Sequence, residues 1–263
     1  MSHDASFLQA ILDDPDDDAV RLIYADWLQE RDDPRGEFIR LQCALANGVN
    51  GERRSRLEAR EQELLRVYED DWTRPLTRAG VKEWSFHRGF VDRIRLSVRQ
   101  YLEVAERLSS LAPAQHLELR MNGLRTRAPE QLMPALADCS YLERIRSLDL
   151  SHNRLTSPAV RALVVSEYLG QLTHLNLAHN AIGDDGLRAL ASSPLFGRLT
   201  HLDLGFNDFG TNGIRALAAG LQDLEDSGRG ARLTSLNITN ARVNVLVEVF
   251  ESESPILRRV ARW

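Results

Sequence analysis

The chain has 263 residues, 43% of them apolar, and a formal net charge of -5. That apolar content suffices for a substantial core in one or two domains. The negative balance excludes a global basic field for nucleic acid or for an anionic membrane surface. No apolar run approaches membrane-spanning length. The first residues lack the basic start and apolar stretch of a secretory leader. Cys43 and Cys139 stand far apart, which suits a reducing, cytoplasmic setting better than a disulfide framework.

Charge is unevenly spread. Residues 1–76 carry 18 acids against 10 Arg, a net of -8, while 77–263 carry a net of +3. The junction is expected near Pro75, giving a small all-α domain at 1–76 and a second domain at 77–263. In the first, a short helix is expected over 4–13, with Asp4 as its cap. The run Asp13-Asp14-Pro15-Asp16-Asp17-Asp18 lacks the alternating ligands, central Gly and closing Glu of a calcium loop. It reads as a helix break followed by acids at the positive end of the next helix. That helix, about 17–29, places Val20, Ile23, Tyr24, Trp27 and Leu28 on one face. Asp33-Pro34 opens a third helix that runs to Gly48. A fourth, about 52–71, is rich in Arg and Glu, with Leu57, Leu64, Leu65 and Tyr68 as its apolar stripe.

Three motifs in this segment, Asp14-Pro15-Asp16-Asp17-Asp18, Tyr24-Ala25-Asp26-Trp27-Leu28 and Asp33-Pro34-Arg35-Gly36-Glu37-Phe38-Ile39, occur in that order. In them the chain resembles the bacterial repeat-companion domain, a family found ahead of repeat arrays. The resemblance covers about the first fifth of the chain and implies architecture, with no activity attached. On chemistry alone, Tyr24, Asp26, Arg35 and Glu37 are expected to cluster where helices two and three meet. An Asp26–Arg35 pair would hold the junction. The alternative is an enzyme-associated or ligand-binding site around Asp26, Arg35 and Glu37.

Past Pro75, residues 81–84 and 86–90 read as strand, turn and strand around His87-Arg88-Gly89, a cap for the remainder of the second domain. Then a phrase recurs. Leu172, Leu175, Leu177, Asn180 and Ile182 return 27 residues later as Leu199, Leu202, Leu204, Asn207 and Phe209. A short strand sends alternate residues to opposite faces, so Leu175 and Leu177 point inward, Asn176 points outward, and Asn180 bonds the turn. Asp184 is expected to cap a helix over 186–192. The spacing resembles the leucine-rich repeat. Further strands are expected at Ile94/Leu96, at Leu117/Leu119 with Asn122 and Leu124, at Leu148/Leu150 with Asn153 and Leu155, and at Leu236/Ile238 with Ala241 in the Asn place. Helices are expected over 129–139, 157–167 and 212–224, and the tail 256–263 would cover the last repeat. The helical linkers resemble the ribonuclease-inhibitor type, which implies an α/β horseshoe solenoid with parallel strands concave and helices convex.

The outward residues form rows that nominate a partner-binding face: Arg95, His116, Glu118, Arg120, Met121, Asp149, His152, His174, Asn176, His179, His201, Asp203 and Phe206. Phe206 and Met121 are apolar residues on an exposed face, where interface anchors tend to lie. A zinc ion held by His174, His201 and Asp203 would lack a fixed surrounding shell, so no metal or other cofactor is expected. The motifs of common hydrolases, metalloproteases and nucleotide binders are missing. Asp208-Phe209-Gly210 sits on the repeat's own turn without other kinase elements. The expectation is a non-enzymatic scaffold, adaptor or regulator whose partner is another protein rather than nucleic acid or membrane.

Overall fold

The computed structural model describes residues 3–121, 128–239 and 261–262. By its contacts the chain forms two compact units: residues up to Arg95 with Val104–Gln115, and Leu96–Glu103 with the chain from His116 onward.

The first unit holds α1 (His3–Asp13), α2 (Asp18–Gln29), α3 (Pro34–Ala46) and α4 (Gly51–Arg78), then a hairpin of β1 (Glu83–His87) and β2 (Phe90–Ser97), whose last two residues belong to the second unit. Two of the starts follow from short acids. Asp17 accepts from the Ala19 amide at 2.8 Å and Asp33 from the Arg35 amide at 2.9 Å, each satisfying a donor the helix itself leaves open. Asp4 does not cap α1; its carboxylate accepts from the Tyr24 hydroxyl. Nor does the chain break at Pro75, which lies in the last turn of α4. There a proline forfeits only one helical hydrogen bond, and the helix ends before the cost accumulates.

Ile11, Tyr24, Ala25, Leu28, Ile39, Cys43 and Phe90 form the core, with Phe7, Leu8, Val20, Leu22 and Trp27 packed against it. Gly36 lets α2 and α3 cross closely: a Cβ there would lie 2.5 Å from the Ala25 carbonyl oxygen. The hairpin turns on Arg88 (φ 53) and Gly89 (φ 87), the paired left-handed conformations a two-residue turn requires. It is fastened to the helices. The Gly89 amide donates to Gln42 Oε1 at 2.7 Å, and the buried Arg21 donates to the carbonyls of Pro15 (2.7 Å) and Arg88 (3.3 Å). The compact unit thus reaches past residue 76.

In the second unit, parallel strands β3 (His116–Arg120), β4 (Ser147–Asp149), β5 (His174–Asn176), β6 (His201–Asp203), β7 (Ser235–Asn237) and β8 (Ala261–Arg262) pair in chain order. Helices α6 (Ala128–Ala137), α7 (Ser157–Val164), α8 (Asp184–Ala191) and α9 (Thr211–Asp226) alternate with them. Helix α5 (Val98–Leu111) contributes residues to both units. The register is that of the repeat: Leu148, Leu175, Leu202 and Leu236 align across the strands. The amides of Leu150, Leu177 and Leu204 continue the ladder to the carbonyls of Asn176, Asp203 and Asn237, each at 2.8 Å. All of these leucines are buried. Each supplies about 2 kcal/mol of transfer free energy on burial.

The asparagines stitch repeat to repeat. Asn180 Nδ2 donates to the carbonyls of Leu177 (2.8 Å) and Leu150 (3.1 Å), and its Oδ1 accepts from the Asn153 and Leu155 amides. Asn207 repeats the pattern in the adjoining unit. Asp184 departs from expectation. Gly183 is the N-cap of α8, and the Asp184 carboxylate reaches into the next repeat, accepting from the Gly210 (2.7 Å) and Gly213 (3.0 Å) amides at the start of α9. Ser157 does the same in the preceding repeat, accepting from the Gly183 amide at 3.1 Å. Val98 is the first residue of α5 and is 1% exposed. Asn122, Leu124, Asn240 and Ala241 lie outside the described residues, as does most of the 256–263 tail.

Candidate functional site: the open face of the parallel strands

Alternation along each strand leaves one face of the ribbon open. Its first row is His116, Ser147, His174, His201 and Ser235; its second is Glu118, Asp149, Asn176, Asp203 and Asn237. In the second row, Asp149, Asn176, Asp203 and Asn237 each accept from the backbone amide two residues on, at 2.8–3.0 Å. These side chains therefore shape the strand ends as well as facing outward.

Arg120 gathers the acids at the first strands. Its guanidinium donates to Glu118 Oε1 (2.5 Å), to Asp149 Oδ1 (3.2 Å) and to the Ser151 carbonyl (2.5 Å). Burial alone would raise the Asp149 pKa. The Ser151 hydroxyl and amide, together with Arg120, outweigh burial and hold the carboxyl below its usual range. Arg95 belongs to the other unit, where it pairs with Glu83 across the hairpin at 2.7 Å.

The rings are ordered. His174 and His201 lie parallel with centroids 4.2 Å apart. His152, His179 and Phe206 form a second stack at 4.1 and 4.2 Å. All three of the latter have positive φ, 54° to 58°, a left-handed conformation that is uncommon for these residue types. The repeat imposes it three times and so aims the rings alike. Phe206 is 43% exposed. Met121 is half-buried, its amide donating to Asn153 Oδ1 at 2.7 Å.

Thr173 and Thr200 are functional neighbours that the outward rows do not nominate. The Thr173 hydroxyl donates to the Arg146 carbonyl and the Thr200 hydroxyl to the Thr173 carbonyl, while the two hydroxyl oxygens lie 2.9 and 3.0 Å from Nδ1 of His174 and His201. Both carbonyls already accept two backbone amides, so each hydroxyl proton is shared between a carbonyl and Nδ1, and where the ring carries the Nδ1 proton Nε2 is an acceptor. The signal is present in the sequence as Leu-Thr-His-Leu at 172–175 and again at 199–202. Burial, followed by the neighbouring His201 and His116, lowers the His174 pKa from its ordinary value.

The helical candidates do not converge. Asp26 pairs with Arg40 rather than Arg35. Glu37 binds Arg60 through two hydrogen bonds, at 2.7 and 2.8 Å. The Arg35 guanidinium lies over the Phe90 ring at 5.0 Å and near Trp72 at 5.9 Å. Burial lowers its pKa against the opposing pull of Tyr24, Asp33 and Asp4. The expected Asp26–Arg35 junction is thus replaced by two exposed ion pairs and one cation lodged on aromatic rings. Among the described residues no three His, Cys, Asp or Glu side chains gather so as to hold a metal, and no helix is long and apolar enough to cross a membrane.

No curated protein matches the chain. A family model described as Leucine Rich repeat matches residues 145–164, 172–191 and 199–218. These segments contain α7, α8 and the first half of α9 together with the strands before them, so the chain carries three leucine-rich repeats between residues 145 and 218.

Proposed function

We propose that the chain is a non-enzymatic protein-binding scaffold, acting as an adaptor or as an inhibitor or regulator of its partner. In this reading the repeats form a horseshoe of the ribonuclease-inhibitor type, with the open strand face on its concave side. The helical segment is a repeat-companion domain ahead of it, and the setting is cytoplasmic. Leucine-rich repeats generally mediate contacts between proteins. The observation that carries the reading is the pair of ring stacks on an exposed face, one of them held at left-handed backbone angles. Rigid flat side chains lose little entropy on binding and serve as anchors.

The test is co-purification from the native host with the chain tagged. Changing Phe206, Asp203 and His174 together to Ala is expected to lower partner recovery by about tenfold or more, with the circular dichroism spectrum unchanged. Equal recovery of the partner by this variant would refute the reading.

A further inference from the structure

Resting on that reading of the open face, we propose that the segment it binds presents an arginine, whose guanidinium enters between the two ring stacks and meets Asp203. The hydrogen-bond inventory of the patch points one way. In this proposal both rings carry the Nδ1 proton, directed at the threonine oxygens, which leaves Nε2 of His174 and of His201 as acceptors. Asp203 accepts the Gly205 amide through Oδ1 at 2.9 Å, and its Oδ2 takes no hydrogen bond among the described residues. The other two carboxylates of the row, Glu118 and Asp149, are already engaged by Arg120. Asp203 is thus the carboxylate of this face with charge to spare. Beside it the face is low: Ala178 and Gly205 occupy the next row, both buried, with the His174/His201 stack on one side and His179/Phe206 on the other. A planar cation made entirely of donors fits a patch made of acceptors. A lysine offers a single point charge and cannot span them, and an acidic segment would be repelled.

The test is selection of a displayed random peptide library on the whole chain, followed by affinity measurements on three variants. Asp203→Asn is conservative, since Asn176 and Asn237 hold the same row position and make the same amide contact at 3.0 Å. His201→Ser copies Ser147 and Ser235 in its row. The expected result is a pool enriched in arginine whose members bind Asp203→Asn and His201→Ser about tenfold more weakly than the unaltered chain. Enrichment of acidic peptides, or of arginine peptides that bind both variants undiminished, overturns the proposal. If the selected peptides ignore these two but are lost on Phe206→Ala, the face still docks a partner and the arginine alone is wrong. Indifference to all three variants removes both readings.

Discussion

Asn207 serves two repeats with one amide. Its Nδ2 donates to the Leu204 and Leu177 carbonyls, each at 2.9 Å, and its Oδ1 accepts from the Ile182 amide at 3.0 Å. All of these bonds are buried. Asn207→Ala leaves the Leu204 carbonyl and the Ile182 amide without partners in an apolar interior and the Leu177 carbonyl with Asn180 alone, so a loss of about 2–4 kcal/mol is expected in urea unfolding. A variant within about 0.5 kcal/mol of the parent would show that the ladder contributes little. The cysteines are quiet for a different reason. Burial, with the Asp18 carboxylate adding to it, pushes the Cys43 thiol up to about 11, and burial also raises the Cys139 pKa. Since the thiolate is the reactive species, neither is expected to react with a disulfide reagent at neutral pH until the chain is unfolded. Rapid labelling of the native protein would contradict these environments.

At the scale of elements, the start of α9 depends on a residue from the helix before it. Asp184→Ala is expected to cost about 1–2 kcal/mol, the range for a lost cap. Its local mark should be faster hydrogen exchange at the Gly210 and Gly213 amides rather than at the beginning of α8. Gly213 tightens the same junction. A Cβ there would lie 2.8 Å from Asp184 Oδ1 and 3.0 Å from a Leu187 methyl. Gly213→Ala should therefore destabilise by about 1–3 kcal/mol through overpacking, although alanine is the better helix former. The imidazole stack adds a pH dependence. The His174 pKa is lowered in the folded chain, so below the ordinary value the unfolded chain binds more protons and stability falls with pH. The contribution is complete above the unfolded value of 6.5 and is lost as pH falls through the depressed native value. His174→Ser should flatten the decline in melting temperature between neutral pH and about pH 5; an unchanged slope would exclude the stack as its source.

Across the molecule, what the sequence makes legible depends on how far a residue's partner lies along the chain. The leucine rows are legible because a strand's alternation and the repeat's 27-residue step are local patterns. The starts of α2 and α3 are legible because Asp17 and Asp33 bond amides two residues on. The partners of Asp26 and Glu37 are not, because long cations reach them from Arg40 and Arg60, and such exposed pairs are chosen by helix packing rather than by sequence spacing. The hairpin's attachment is hidden for the same reason: Gly89 meets Gln42 across 47 positions. In the face itself, the rows and the two Leu-Thr-His-Leu phrases are legible, but the carbonyls that hold the threonine hydroxyls are not, because they lie a full repeat back.

The crossing of Asp184 from its own repeat to the next gives the array a sense of direction. During synthesis, the carboxylate that closes α9 leaves the ribosome before α9 exists, so each finished unit offers a template to the unit behind it. A fragment ending near residue 200 carries that group with nothing to close. One starting after residue 184 must build α9 on amides with no acid to receive them, and of the two it is the second that should mature poorly.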